Sequence, residues 1–236
     1  MIRQRFHFRE TIATILADDE YHVEAAREGL MRARHDLEHH IAQDPFFLTT
    51  MEPYAGRSDC LVARRMIAAA LSAGVGPMAA VAGAIAWAGV ESMAARGASL
   101  GVVDNGGDIA LISDRVLRVG VHAGMSPYSD RFAFEIPPRK EVLGICTSSA
   151  TVGHSLSLGT ADAVCVFSQD PALADAWATA ICNTITPDDT SIIDRVPWEE
   201  VDGVYVVSGE WTASFGSLPP LVRARVDRDL VTGGPW

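Results

Sequence analysis

With 236 residues, 30 acidic side chains against 19 basic ones and a formal charge of −11, the chain is long enough for one sizeable core and too acidic for a nucleic-acid backbone to be its main partner. A single domain over 1–236 is expected, with a local basic pocket for one phosphate still allowed. The four cysteines, Cys60, Cys146, Cys165 and Cys182, form no CxxC pair, and three lie in apolar runs, which reads as buried free thiols in a reducing compartment. The first eight residues alternate charge with apolar side chains and hold no apolar core of signal-peptide length, so a cytoplasmic location is expected.

Residues 2 to 8 and 11 to 16 alternate and branch like a β-hairpin turning near Arg9-Glu10. Asp18-Asp19-Glu20 then opens a helix through Gln43, with Val23, Ala26, Leu30, Ala33, Leu37 and Ile41 at helical spacing and Pro45 closing it. His35, His39 and His40 on this helix raise a zinc site, but no familiar ligand set is completed, and Asp36 and Glu38 mark a solvated face. Further helices are predicted over 59–71 and 77–95. The apolar stretch Ala73 to Ala88 is rich in Ala and Gly, contains Pro77, and falls short of the ~20 strongly apolar residues a membrane span needs, so it reads as a buried helix. Small residues at its start, Ala79, Ala80, Ala82 and Gly83, allow close approach of a neighbouring element or of an anion to the free N–H groups.

Strands are predicted at 99–104 and 109–112, joined by Asn105-Gly106-Gly107-Asp108, a strong hairpin signal. Asp104 and Asp108 beside these apolar strands are costly unless satisfied. A second hairpin is suggested at Ser113-Asp114-Arg115, followed by a strand over 116–121. Three more strands are read at 132–134, 142–146 and 163–167, and others at 203–208 and 211–215. The tail after Ser217 looks irregular.

Two segments carry chemistry. The loop from Thr147 to Thr160 is crowded with hydroxyls, Ser148, Ser149 and Thr151 among them, around a single histidine, His154; this composition suits phosphate or ribose contacts and proton transfer, and equally a decorated surface loop. In the helix opened by Asp170-Pro171, Asp175 and Thr179 stand at i and i+4 among alanines. A carboxylate and a hydroxyl on one face suit a hard cation such as Mg²⁺ that shares a substrate's phosphate oxygens; an ordinary packed helix is the competing reading.

In this order, the Ala-rich helix start, the Gly-Gly-Asp hairpin, the Ser/Thr loop with His and the Ala-Asp-Ala-x-Ala-Thr helix resemble the ApbE family, the Mg²⁺-dependent FAD:protein FMN transferases. The run from Gly144 through Thr179 is more closely similar to the ApbE-like group UPF0280, and the resemblance covers roughly residues 75 to 185. It implies an α+β fold of mixed, largely antiparallel sheets flanked by helices. It also implies metal ligands at Asp175, Thr179 and the Ala80 carbonyl, flavin or nucleotide contacts from Asn105, Gly106, Gly107, Asp108, Ser148, Ser149 and Thr151, and His154 as the base. Three positions depart from the family pattern: Pro77 replaces an Asp, Gly83 a Lys, and Ser157 an Asp. The implied cofactors are Mg²⁺ and FAD or FMN, the implied activity is FMN transfer from FAD to an acceptor protein or hydrolysis of the FAD pyrophosphate, and neither nucleic acid nor membrane is an expected partner. The departures fit equally a non-catalytic flavin or nucleotide binder, or a transferase acting on another phosphorylated substrate. The first helix and the apolar hairpin would suit a homodimer.

Overall fold

Alternation at the N-terminus produces the expected hairpin: β1 (Ile2–Phe8) pairs antiparallel with β2 (Thr11–Ala17), so that Ala13, Ile15 and Ala17 face one core. The computed structural model of the chain describes residues 1–151, 159–227 and 232. Helix α1 (Glu20–Gln43) starts at Asp19, whose carboxylate accepts from the His22 N–H at 2.9 Å, and buries the apolar stripe read from its spacing. His40 lies on the buried side of this helix rather than on a solvated face; its Nδ1 is 3.2 Å from the Ser58 hydroxyl and its ring meets Phe47 edge-on. Among the described residues no group of three or more His, Cys, Asp or Glu side chains is placed to hold a metal.

A short helix α2 (Phe46–Thr49), which the sequence reading lacked, leads to α3 (Leu61–Ala73). After one 3-10 turn (Pro77–Ala80) comes α4 (Val81–Ala95). The stretch Pro77–Ala95 is long and apolar enough to cross a membrane by length and composition, and here it packs against α1 and against strands β3 (Leu100–Asn105) and β4 (Asp108–Ser113). A helix apolar on nearly every side belongs in such a core.

The remaining strands are β5 (Leu117–Gly120), β6 (Phe132–Ile136), β7 (Arg139–Ser148), β8 (Ala163–Ser168), β9 (Val201–Ser208), β10 (Trp211–Gly216) and β11 (Leu221–Arg223), with α5 (Pro171–Thr184) between β8 and β9. Eight strands form one antiparallel sheet in the order β1-β2-β3-β4-β7-β8-β9-β10, and β11-β6-β5 form a second, smaller one. Two expectations are corrected. β5 does not fold back on β4 at the Ser113-Asp114-Arg115 turn but pairs with β6, and the tail contributes β11 to the same small sheet.

The large sheet therefore has two covered faces. Helices α1, α3, α4 and α5 cover one, where Ile15, Val103, Ala110, Cys146 and Val166 meet Leu30, Met66, Ile85 and Trp177. The small sheet covers part of the other, where Phe134 stands edge-on to Phe167 at 4.8 Å and to Tyr205 at 5.5 Å between ring centroids. Cys146, Cys165 and Cys182 are buried free thiols and Cys60 a partly buried one.

Candidate functional site

The hairpin between β3 and β4 is built by its two glycines. Asn105 and Asp108 are paired, and Gly106 and Gly107 between them take φ values of 74° and 106°, the left-handed turn that a two-residue hairpin requires. Period two along β3 and β4 then sends the neighbouring side chains to opposite faces of the sheet. Asn105 reaches the helix side, where its amide donates to the Ala82 carbonyl at 3.1 Å. Asp104 is satisfied by the Gly107 N–H at 2.9 Å and by the Thr232 hydroxyl at 2.6 Å, and that hydroxyl is also 2.8 Å from Thr14. The cost that the sequence assigned to Asp104 is met by these partners; burial still raises its carboxyl above the usual range.

Asp108 accepts from the Thr147 N–H at 3.2 Å on the neighbouring strand β7. Burial, together with the charge of Asp104, pushes its carboxyl up to about 7. Behind it, the Cys146 thiol donates to the Pro171 carbonyl at 3.3 Å; burial, then the Asp108 and Asp175 charges, raise it well above an ordinary thiol.

Asp175 arrives from α5. The Asp170 carboxylate caps that helix by accepting from the Leu173 N–H at 2.9 Å, Pro171 occupies the first turn, and the helix is buried along nearly its whole length. Asp175 is 8% exposed and does not face solvent. Its Oδ2 accepts from the Gly83 N–H at 2.8 Å, at the start of α4, where unpaired N–H groups and the helix dipole favour an anion. Burial, and after it the Asp108 charge, holds its carboxyl well above the usual range, while the Gly83 and Ala82 N–H groups oppose the shift. Gly83 is required by this approach: a Cβ there would stand 2.2 Å from the Pro171 carbonyl oxygen and 2.9 Å from the Asp175 Cβ. No lysine side chain fits at this position.

Of the residues singled out from sequence, the structure brings Asn105, Gly106, Gly107, Asp108 and Ser149 onto the wall of one cleft of about 1900 Å³, with Met78, Val81 and Ala82 at and before the α4 start beside the hairpin. Ser148 is buried at the end of β7. Thr151 is exposed and donates to Asp162 at 2.9 Å. Ala80 is buried in the turn that precedes α4, and Thr179 is partly buried one helical turn beyond Asp175. His154 and Ser157 lie outside the described residues. Missed from sequence were the Gly83 N–H as a partner of Asp175, the Cys146 thiol on which both acids act, and a His122–Asp130 pair at 2.8 Å, of which His122 lines the cleft. The first was signalled by the glycine in an alanine-rich helix start; the other two had no local signal.

This architecture is that of the ApbE flavin transferases. The "Flavin Transferase ApbE from Vibrio cholerae" superposes with a TM-score of 0.60 at 12% identity, covering 92% of this chain and 96% of that one, and the apo form of the Pseudomonas stutzeri flavinyl transferase ApbE with 0.57 at 10% identity, over 92% and 94%.

The family model described as "AbpE bacteria" matches residues 3–204. A UPF0280 protein of Methanoculleus marisnigri is 61% identical over 99% of this chain and 96% of its own length, and those of Methanoregula boonei and Methanosarcina acetivorans are 55% and 43% identical, each aligned with at least 98% of this chain and 93% of its own length. The chain belongs to the UPF0280 family of ApbE-like proteins.

Proposed function

We propose that this protein is a Mg²⁺-dependent, flavin-directed transferase that cleaves the pyrophosphate of FAD, passing FMN to a hydroxyl of an acceptor protein or to water. The observation that carries this reading is the meeting of the buried Asp175 and the partly buried Asp108 with the start of α4 beside a cleft of about 1900 Å³. Ordinary small-molecule pockets are ~300–1,000 Å³, so the cleft has room for a dinucleotide.

The donor set fits a hard cation. Two carboxyls that repel each other in a buried setting are relieved by a cation or by protons. On the sequence match Asp175, the Thr179 hydroxyl and the Ala80 carbonyl would be the cation's oxygen ligands, and Asp108, whose charge acts on Asp175, would order a water or the ligand. Bound there, Mg²⁺ would neutralise pyrophosphate charge and favour departure of AMP. The chain's own groups do the rest. The Ser149 hydroxyl on the cleft wall would contact phosphate oxygens, and Asn105 ties the hairpin to α4. The acceptor oxygen forms a bond to the FMN phosphorus, the bridging P–O bond breaks with its electron pair leaving on AMP, and the acceptor proton passes to His154, assigned as base on the sequence match. The cysteine pattern suits a reducing, cytoplasmic setting.

Replacing Asp175 by Asn separates a metal role from a structural one. The amide oxygen still accepts from Gly83, and the repulsion with Asp108 is gone, so the variant should melt no lower than the wild type while Mg²⁺-dependent FAD cleavage falls at least 100-fold, on the order of losing one transition-state electrostatic contact. Full activity in the folded variant would remove Asp175 from the metal site.

The bond from Gly83 to Asp175 also favours a second reading, in which Asp175 only caps α4 and the cleft binds a flavin without reaction. FAD bound with the same affinity with and without Mg²⁺, and recovered intact, would select it.

A further inference from the structure

The cleft has a second polar centre that the motif-bearing hairpin and helices do not supply. It follows β5, in the turn that joins β5 to β6. There the His122 Nδ1 is 2.8 Å from the Asp130 carboxylate and 3.4 Å from the Ser129 hydroxyl, whose oxygen accepts from the Ala123 N–H at 3.0 Å. Both side-chain contacts fall on the same ring nitrogen. A carboxylate at Nδ1 takes the N–H and fixes the tautomer in which Nε2 carries the lone pair. Among the described residues no group is hydrogen-bonded to Nε2.

The turn is built to hold this pair. Asp130 adopts φ 63°, a left-handed conformation that non-glycine residues seldom take, and it is fixed there by bonds on both sides: its N–H donates to the Val121 carbonyl at 2.9 Å and its carbonyl accepts from the Val226 N–H at 3.0 Å. The Ser126 hydroxyl anchors the other side of the turn to the Gly209 carbonyl at 2.8 Å. His122 lines the large cleft and Asp130 does not, so the acid stands behind the ring as seen from the cleft. His122 shares the cleft lining with Leu117, Val119 and Phe134 from the small sheet and Leu111 and Ile145 from the large one, and with the charged Arg118, Arg225 and Asp227. A cleft wall that sets aliphatic and aromatic groups alongside one acceptor nitrogen suits a flat heteroaromatic ring with an N–H donor on its edge.

We infer that His122 is a ligand-binding residue of the cleft, accepting at Nε2 a hydrogen bond from a ring N–H of the bound nucleotide, with Asp130 as the positioning residue that sets its tautomer. The inference rests on the flavin nucleotide reading above and extends it by naming where a ring is recognised. FAD carries two such rings, the flavin with its imide N–H and the adenine with its amino group, and its halves FMN and AMP tell them apart.

The test is a titration of the full-length protein and of its His122→Phe, His122→Gln and Asp130→Asn variants with FAD, FMN and AMP in the presence of Mg²⁺, with melting temperature recorded for each. Phenylalanine keeps the ring and loses the acceptor, glutamine restores an acceptor, and asparagine tolerates the left-handed backbone while offering Nδ1 an acceptor of no charge or a donor that reverses the tautomer. His122→Phe and Asp130→Asn should weaken FAD binding about 5- to 10-fold, the value of one neutral hydrogen bond, with melting unchanged and His122→Gln intermediate. A parallel loss for FMN and not AMP places the flavin ring at His122, and the converse places adenine there. Wild-type affinity of His122→Phe for all three ligands would overturn the inference and leave the flavin reading standing. Failure of the wild-type protein to bind FAD would overturn the flavin reading, and this inference with it.

Discussion

Asp108 and Asp175 are the residues on which stability and function pull in opposite directions. Both hold their proton more tightly in the folded chain than an unfolded aspartate, whose pKa is about 3.9, with Asp108 pushed up to about 7. Between about pH 4 and pH 7 the folded state then binds more protons than the unfolded one, so these groups make stability fall as pH rises through that window. Without metal, acidification from pH 8 to pH 5.5 should raise the melting temperature. Asp108→Asn should raise it at pH 8 by about 3–6 °C, from about 1–2 kcal/mol after allowing for partial solvent access, and should flatten the pH dependence. A melting curve for this variant with the wild-type slope and midpoint would show that the repulsion is not there. The sequence revealed these acids as polar residues in apolar company, and Asp175 with its i+4 threonine as an oxygen pair. It did not reveal that Asp175 caps another helix, because Gly83 is 92 residues away. His122 and Asp130 left no sequence signal either: they stand eight positions apart in an irregular turn, and no periodicity brings them together.

At the level of elements, the site depends on how closely α4 and α5 approach. Gly83→Ala inserts a methyl group where the Pro171 carbonyl oxygen would be 2.2 Å away, and one of the two helices must shift. The cost should be about 2–3 kcal/mol, read as a fall in melting temperature of roughly 4–12 °C, with the Gly83 to Asp175 bond stretched. Asp170→Ala removes the cap of α5 and should cost about 1 kcal/mol, a smaller fall of about 2–4 °C that leaves the packing intact. If the two variants melted alike, the close approach of the helices would not be what limits this region. Long elements with a clear period were legible: α1, α4 and the β3–β4 hairpin fall within a few residues of their predicted ranges, and α5 starts where Asp170-Pro171 marks it. Partners of short strands were not. The turn at Ser113-Asp114-Arg115 has hairpin chemistry, yet β5 is claimed by β6, and β11 is three residues beside two prolines, where pairing with β6 rather than propensity makes the strand.

Across the whole molecule, the two hydrophobic layers explain why the cleft lies where it does. The eight-stranded sheet carries a continuous helical layer on one face, and on the other the three-stranded sheet meets only part of it, around Phe134, Phe167 and Tyr205. The uncovered end, at the β3–β4 hairpin, opens onto both faces, so polar groups from opposite sides of one sheet border a single space. Fold class and family were legible from the order of the motifs, since each motif sits at the end of a strand or the start of a helix. The second layer was not, because one of its three strands comes from the tail, far along the chain from the other two. Titration of the purified protein with FAD, with and without Mg²⁺, followed by flavin fluorescence and by analysis of the products, tests the central claim most directly. Release of FMN and AMP, or FMN attached to an acceptor, only when Mg²⁺ is present is the expected result. FAD recovered intact under saturating Mg²⁺ and acceptor would contradict it.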